Sequence, residues 1–254
     1  MRNQEIDKYV YEVIVPKYAD FDAAHREDHA HAVIDQAMKL LDDRPRWVEE
    51  HSSLHGQCPV NQSELFVVNA ELSNSNADVS SQCLADELLV PVDRSVLKMA
   101  AACHDLGLVN GRDRHHLDSG EIIRNDTNLR NWFSDAEIET IAQAAEDHRA
   151  SGDKEPRCIY GKLVAEADRL IDPQTIIKRT IQFGFKHYPH LGREGHIERA
   201  ISHLKEKYGR GGYLKLWIPW SENAARLGAL QDVIADDAAI YEEVVRMYDL
   251  VNVQ

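Results

Sequence analysis

The apolar positions of the chain recur with the spacing of an α-helix from about residue 24 onward. In the segment HREDHAHAVIDQAMKLL, a stripe along one helix face is formed by Val33, Ala37, Leu40 and Leu41. Continued backwards by one turn, this stripe reaches His29. A histidine therefore stands where the helix pattern predicts an apolar residue.

A second predicted helix, DRSVLKMAAACHDLG, is almost wholly apolar or small. Asp93 can cap its N-terminus and Gly107 can end it. A helix without a polar face is buried on all sides. Such a helix delivers the two polar residues near its end, His104 and Asp105, to the interior of the protein.

Further helix starts are marked by residue types that favour helix ends. The capping-box spacing predicts starts at Asp118 and at Ser134, each followed by a glutamate three residues later. On the helix after Ser134, His148 falls on the apolar face. Pro173 can open a later helix as its first residue.

The segment IYGKLVAEADRLI predicts a helix whose apolar stripe contains an acid, because Asp168 lies between Val164 and Ile171 at helical spacing. Beyond it, helices are predicted in HIERAISHLKEKY, in ENAARLGALQDVI and from about Asp237 to Leu250. The chain is therefore predicted to be all-α.

One segment breaks the helical pattern, from Trp47 to Leu89, where serine, asparagine and glutamine are frequent. Because long ordered loops are uncommon in compact domains, we interpret it as an inserted polar loop with a short strand at Phe66–Val68 and no part in the functional site. The predicted organisation is a helical core over residues 1–185, which contains this insertion, and a C-terminal helical extension over 186–254 packed on the core.

Composition narrows the classes of function. The 254 residues are 43% hydrophobic, which indicates a globular protein, and the formal net charge of −14 disfavours nucleic-acid partners and favours small substrates.

The start of the chain resembles no secretory signal, and apolar runs are too short for a membrane span, so we expect a cytoplasmic protein. Four scattered cysteines indicate neither a zinc ribbon nor a disulfide framework. The sequence leaves open whether the protein forms a homodimer.

The candidate functional residues are the polar residues that lie in apolar stripes: His29, the pair His104-Asp105, and Asp168. Burying one unpaired carboxylate costs several kcal/mol or forces it into the neutral form. Either each residue has its own polar partner, or a shared divalent cation removes the cost for all of them. Mixed imidazole and carboxylate ligands suit Mn²⁺, Fe²⁺ or Zn²⁺, and Mg²⁺ is a further candidate.

These residues resemble the HD superfamily of metal-dependent phosphohydrolases, whose pattern is one histidine, an adjacent His-Asp pair and a distal aspartate. DAAHREDHAHAV is similar to the opening D-x-x-H-x-x-x-H-x-x-x-V, AACHDLGL to the HD-x-G segment, and EADRLI to the D-A-D-R-L segment of short bacterial members. The resemblance covers about residues 20–50 and 93–175 and implies an HD-domain helical bundle. The metal ligands that it implies are His29, His104, Asp105 and Asp168.

The resemblance also implies a reaction, the hydrolysis of a phosphate ester or anhydride by metal-activated water. By family analogy the substrate is a small phosphorylated molecule, a nucleotide. Asp105, His116 and His148 are the predicted catalytic residues, with His116-x-x-Ser119 and the distal His148 resembling the bacterial subgroup. His116 and His148 could bind a second ion, orient the phosphate or donate a proton; we favour the last two, beside one metal.

Arg169, Lys178 and Arg179 follow the distal acid and are predicted to hold phosphate oxygens of the substrate. For Lys178 and Arg179 a solvated helix face is an equal alternative. His25, one turn before His29, is interpreted as a residue that supports it, with an exposed position at the helix start as the alternative. His115 and the histidines after Lys186 are assigned no role, because histidines in such settings usually face solvent.

Two other functions share the pattern. In a di-iron HD-fold oxygenase, His116 and His148 would be the additional iron ligands. A non-catalytic regulatory module would keep the fold but would normally have lost a ligand. Because all four predicted ligands are present, the sequence favours an enzyme.

Overall fold

The computed structural model of the chain describes residues 2–22, 25–52, 90–149 and 154–252. Within them the chain forms ten α-helices and no strand, which confirms the predicted all-α fold. The predicted strand at Phe66–Val68 and most of the predicted inserted loop lie outside the described residues. The helices are α1 (Arg2–Tyr9), α2 (Glu27–Ser52), α3 (Arg94–Cys103), α4 (His115–Asn125), α5 (Asp135–Glu146), α6 (Ile159–Asp168), α7 (Pro173–His187), α8 (Arg193–Tyr208), α9 (Asn223–Ala235) and α10 (Asp237–Asn252).

The described residues form two compact units, 2–169 and 170–252. The sequence interpretation ended the core at residue 185, whereas α7 contacts α8, α9 and α10 of the second unit. Asp172 caps α7 by accepting a hydrogen bond from the Thr175 amide, and Pro173 is the first residue of the helix, as predicted. No helix of the described residues combines the length and the apolar character needed to cross a bilayer.

Helix α3 is the centre of the first unit, in contact with α2, α5 and α6. Seven of its ten residues are buried, and Asp93 caps it through the amides of Ser95 and Val96. The helix ends at Cys103, four residues before the predicted stop at Gly107. The prediction that this helix delivers His104 and Asp105 to the interior is confirmed, because the two residues are 0% and 2% exposed.

The N-terminal segment is helical, although the sequence interpretation began its helices near residue 24. Helix α1 continues into a π-helical turn (Val10–Ile14) and then a 3₁₀ turn (Val15–Tyr18). The first two elements pack on α3, and the 3₁₀ turn packs on α2. This path places Tyr18, which is 0% exposed, beside the end of α3.

Helices α4 and α5 pack against each other beyond the turn that follows α3. The capping box at Ser134 and Glu137 opens α5 as predicted. The predicted start of α4 at Asp118 is wrong, because the helix begins at His115 and Asp118 lies inside its first turn. A 3₁₀ turn (Leu106–Asn110) closed by Gly111 at φ 101° reverses the chain early enough for the helix to start there.

Candidate metal centre

The four predicted metal ligands lie together, although they come from the ends of three different helices. Nε2 of His29 lies 3.2 Å from Nε2 of His104 and 3.5 Å from Oδ2 of Asp105. Oδ1 of Asp168 lies 3.3 Å from Nε2 of His29 and 3.8 Å from Nε2 of His104. Nitrogen and oxygen atoms spaced in this way can surround one divalent ion, whose bonds to such atoms are ~2.0–2.2 Å long.

A second group of donor atoms faces the other oxygen of Asp105. Oδ1 of Asp105 lies 3.4 Å from Nε2 of His115 and 3.3 Å from Nε2 of His148, and the two Nε2 atoms are 3.3 Å apart. Asp105 therefore joins two groups, one on each carboxylate oxygen. The side chains of both groups, called the clustered side chains below, are His29, His104, Asp105, Asp168, His115 and His148.

The expectation that His115 faces solvent is wrong, because its side chain is only 14% exposed and points at Asp105. Helix α4 buries Ser119 and Ile123 on one face, and His115 precedes Ser119 by one turn on that face. His116 belongs to neither group of donor atoms within the described residues. Its Nδ1 is buried without a hydrogen-bond partner there, and burial together with the charge of Arg149 lowers its pKa to about 4.

Three of the clustered imidazoles are oriented in the same way. Nδ1 of His104 donates to the carbonyl of Ala101 at 2.8 Å, and Nδ1 of His115 donates to the carbonyl of Arg112 at 2.7 Å. His148 makes the equivalent bond to the carbonyl three residues before it. Because a carbonyl can only accept, each bond fixes the proton on Nδ1 and leaves the Nε2 lone pair free for a metal.

The side chains of the centre differ in their exposure to solvent. The side chains of His104, Asp105 and His148 are at most 3% exposed. Exposure rises to 14% at His115 and 23% at Asp168. Water or a substrate can therefore reach the centre at these two side chains.

A polar assembly that the sequence interpretation missed lies next to His29. His25 is hydrogen-bonded through Nδ1 to Asp22 at 2.8 Å, and its ring meets the ring of His29 edge to face at 5.5 Å. Arg112 donates to the same carboxylate at 3.1 Å and lies 3.5 Å from Nε2 of His25. This contact is compatible with the supporting role predicted for His25, and it joins the segment before α2 to the loop before α4.

The three predicted phosphate-binding residues differ in their burial. Arg169 follows Asp168 directly and is 7% exposed, yet its Nε and Nη1 have no hydrogen-bond partner within the described residues. A buried guanidinium with free donors fits an anionic ligand. Lys178 and Arg179 are exposed on α7, in the second unit, and their role in phosphate binding stays a prediction.

Asp105 stabilises the protonated forms of the His29 and His148 imidazoles and so raises the pKa of both. Burial opposes the charged form of His29, but hydrogen bonds to Asp105 and Asp168 outweigh it and raise its pKa to about 9. Burial also opposes ionisation of Asp105, yet the charge and hydrogen bond of His104 hold the pKa of Asp105 well below its usual range. Within the described residues, the ion pairs of both carboxylates are all with histidines. Divalent cations can replace these protons, so the residues fit a metal.

We therefore expect metal binding to release protons. At about pH 7 the His29 imidazole carries a proton that the first ion must displace, because its pKa is about 9. The apparent affinity should rise by up to ~10-fold per pH unit as the pH approaches 9 and level off above it. Calorimetric titration of the metal-free protein with Mn²⁺, in two buffers of different ionisation enthalpy, measures the protons released. An affinity that is constant between pH 7 and 9 would contradict this expectation.

Comparison with known protein families finds a match to part of the chain. Residues 79–171 match the family model of the HD domain. The matched range contains five of the six clustered side chains, and His29 precedes it. No curated protein and no solved structure matches the chain. Residues 79–171 are therefore similar to the HD domain, a match that is consistent with the HD superfamily of metal-dependent hydrolases.

Proposed function

We propose that the protein is a phosphohydrolase that holds two divalent ions and cleaves a phosphate ester or anhydride of a small molecule, with a nucleotide as the substrate. The observation that supports it best is the position of Asp105, whose two oxygens lie 3.2 to 3.5 Å from four imidazole nitrogens. A carboxylate placed in this way can bridge a pair of ions.

The two groups divide the ligands between the ions. His29, His104 and Asp168 would hold the first ion together with Asp105, and His115 and His148 would hold the second. The ions would be Mn²⁺, Fe²⁺, Zn²⁺ or Mg²⁺, all of which accept oxygen ligands. When bound, such ions lower the pKa of water toward ~7 and neutralise the charge that develops on a phosphoryl oxygen.

The protein residues supply orientation, substrate contacts and access. The Nδ1 hydrogen bonds hold three imidazole rings in the tautomer that binds metals. The carboxylate of Asp168 is partly exposed, and the phosphate would reach the centre there. Arg169 has two buried donors free for phosphate oxygens, and we assign it to substrate binding. Lys178 and Arg179 remain proposed phosphate contacts.

Metal analysis joined to a substrate screen tests this proposal. Protein purified without chelator should contain both ions, and it should hydrolyse a generic phosphate ester or a nucleotide in the presence of at least one of Mn²⁺, Mg²⁺, Fe²⁺ and Zn²⁺. In the same screen, Arg169→Met should raise the KM for the phosphorylated substrate, while Arg130→Met, whose parent side chain pairs with Asp135 on the surface, should not. A protein that holds both ions and releases phosphate from none of these compounds would overturn the proposed reaction.

A second function is favoured by one observation. The second group contains two histidines, which is also what a di-iron oxygenase of this fold requires. The same preparation distinguishes the two functions, because an oxygenase would contain two irons and consume dioxygen when its substrate is added. Oxygen uptake without phosphate release would replace the proposed hydrolysis by this second function.

A further inference from the structure

Two buried hydroxyl groups hold the turn that carries His104 and Asp105. One belongs to Tyr18, at the end of the N-terminal 3₁₀ turn, and the other belongs to Ser119 on α4. Both side chains are buried, with 0% exposure. Neither is a metal ligand by geometry, and the sequence interpretation assigned a role to neither of them beyond the motif that contains Ser119.

The hydroxyl of Tyr18 bonds to both sides of the helix end. It donates to the carbonyl of Ala102 at 2.8 Å and accepts from the amide of Asp105 at 3.2 Å. The carbonyl of Ala102 is one of the last four of α3, which have no partner within the helix. Asp105 leaves the helical conformation at φ −108° and ψ 7°. A single oxygen therefore fixes where the backbone of Asp105 departs from the helix.

The hydroxyl of Ser119 makes the corresponding pair of bonds on the other side of the turn. It accepts from the amide of Gly107 at 2.8 Å and donates to the carbonyl of His115 at 2.8 Å. Helix α4 approaches the turn so closely that a Cβ on Gly107 would lie 2.0 Å from the carbonyl oxygen of His115. The first turn of α4 is thus tied directly to the backbone two residues after Asp105.

These bonds matter because Asp105 must serve two groups at once. Its oxygens lie 3.2 to 3.5 Å from four imidazole nitrogens. Metal sites need their ligands held within ~0.5 Å of the productive geometry, so a small displacement of this turn would spoil both groups. A shift of α4 alone would spoil only the second group, since His115 belongs to that group.

We propose that Tyr18 and Ser119 are positioning residues of the metal centre: Tyr18 sets the direction of Asp105 for both ions, and Ser119 sets the distance of His115 for the second ion. The inference rests on the proposed function, because it assumes that two ions bind. Neither Tyr18 nor Ser119 is one of the six clustered side chains. Tyr18 lies in the N-terminal segment, before the range that matches the HD domain.

Tyr18→Phe tests the first half, because it removes both hydrogen bonds and keeps the ring. The full-length metal-free protein is titrated with Co²⁺, whose absorption spectrum reports its coordination geometry, and with Mn²⁺ by calorimetry. We expect the affinity for both ions to fall by ~10–100-fold and the Co²⁺ spectrum to change, as is usual when a supporting group is removed. Tyr9→Phe is the matched control, since the Tyr9 hydroxyl bonds to Asp126 instead, and it should keep both affinities.

Ser119→Ala tests the second half and should weaken the second ion alone by ~10–100-fold. Its control is Ser134→Ala, which removes the cap of α5 and destabilises the fold without touching the centre. Circular dichroism verifies that all four variants are folded. Wild-type affinities and spectra in Tyr18→Phe and Ser119→Ala would overturn this inference alone. A folded wild-type chain that binds no divalent ion would overturn the proposed function and the inference with it.

Discussion

Replacing Asp105 with alanine is expected to remove both metal ions and to abolish hydrolysis, the largest effect that a single substitution in this chain should have. Both oxygens of this carboxylate are used, one facing His29 and His104 and the other facing His115 and His148. Its loss leaves each group without its shared anionic ligand. Turnover should fall by more than ~10²–10³-fold, the effect of removing one preorganised electrostatic group.

The fold should survive this substitution better than the site does. Asp105 follows the last turn of α3, and the apolar core of the first unit lies within the helices. Metal content by mass spectrometry, thermal unfolding and phosphate release are measured on the same preparations. Asp118→Asn is the matched control, because Asp118 lies on α4 near the centre but belongs to neither group. Full metal content in Asp105→Ala would show that the two groups do not bind metal through this residue.

Much of the fold could be predicted from local sequence patterns. The apolar run of α3, the capping box of α5 and the N-terminal proline of α7 are signals within a few residues, and each gave a helix that the structure contains. The N-terminal helix was missed although its signal was present. Ile6, Val10 and Ile14 recur every four residues and are all buried.

The candidate ligands on long, strongly periodic segments were also predictable. His29, His104 and Asp168 stand in apolar stripes, where the cost of burying a polar group makes an unusual partner necessary. Tyr18 could not be found in this way. A buried tyrosine fits an apolar stripe without cost, and its hydrogen bonds join residues that are 84 and 87 positions apart in the chain.

The pair His115-His116 shows where the sequence interpretation was ambiguous. Two adjacent histidines point to different sides of a helix, so the choice depends on where the helix starts. The capping-box spacing placed that start at Asp118, outside the pair, whereas the helix begins at His115. The buried face of α4, with Ser119 and Ile123, was the signal that selects His115.

The second large prediction concerns His115 and His148, the two histidines of the second group. We expect His115→Ala to lose one of the two ions and to reduce turnover by ~10²–10³-fold, because Nε2 of His115 faces Asp105 and His148 and the remaining two donors hold an ion weakly. His148→Ala should give the same metal content and the same loss. The first ion should stay bound in both variants, since its ligands are untouched.

His116→Ala is the control that the chain itself offers, because it removes the same chemical group from the adjacent position. It should keep both ions, since His116 belongs to neither group of donor atoms. If His116→Ala loses an ion while His115→Ala keeps both, His116 and not His115 is a metal ligand, and the second group formed by Asp105, His115 and His148 is not a metal site. If both keep two ions and both lose activity, the two histidines act on the substrate phosphate or on a proton, and the second ion must be held by other residues.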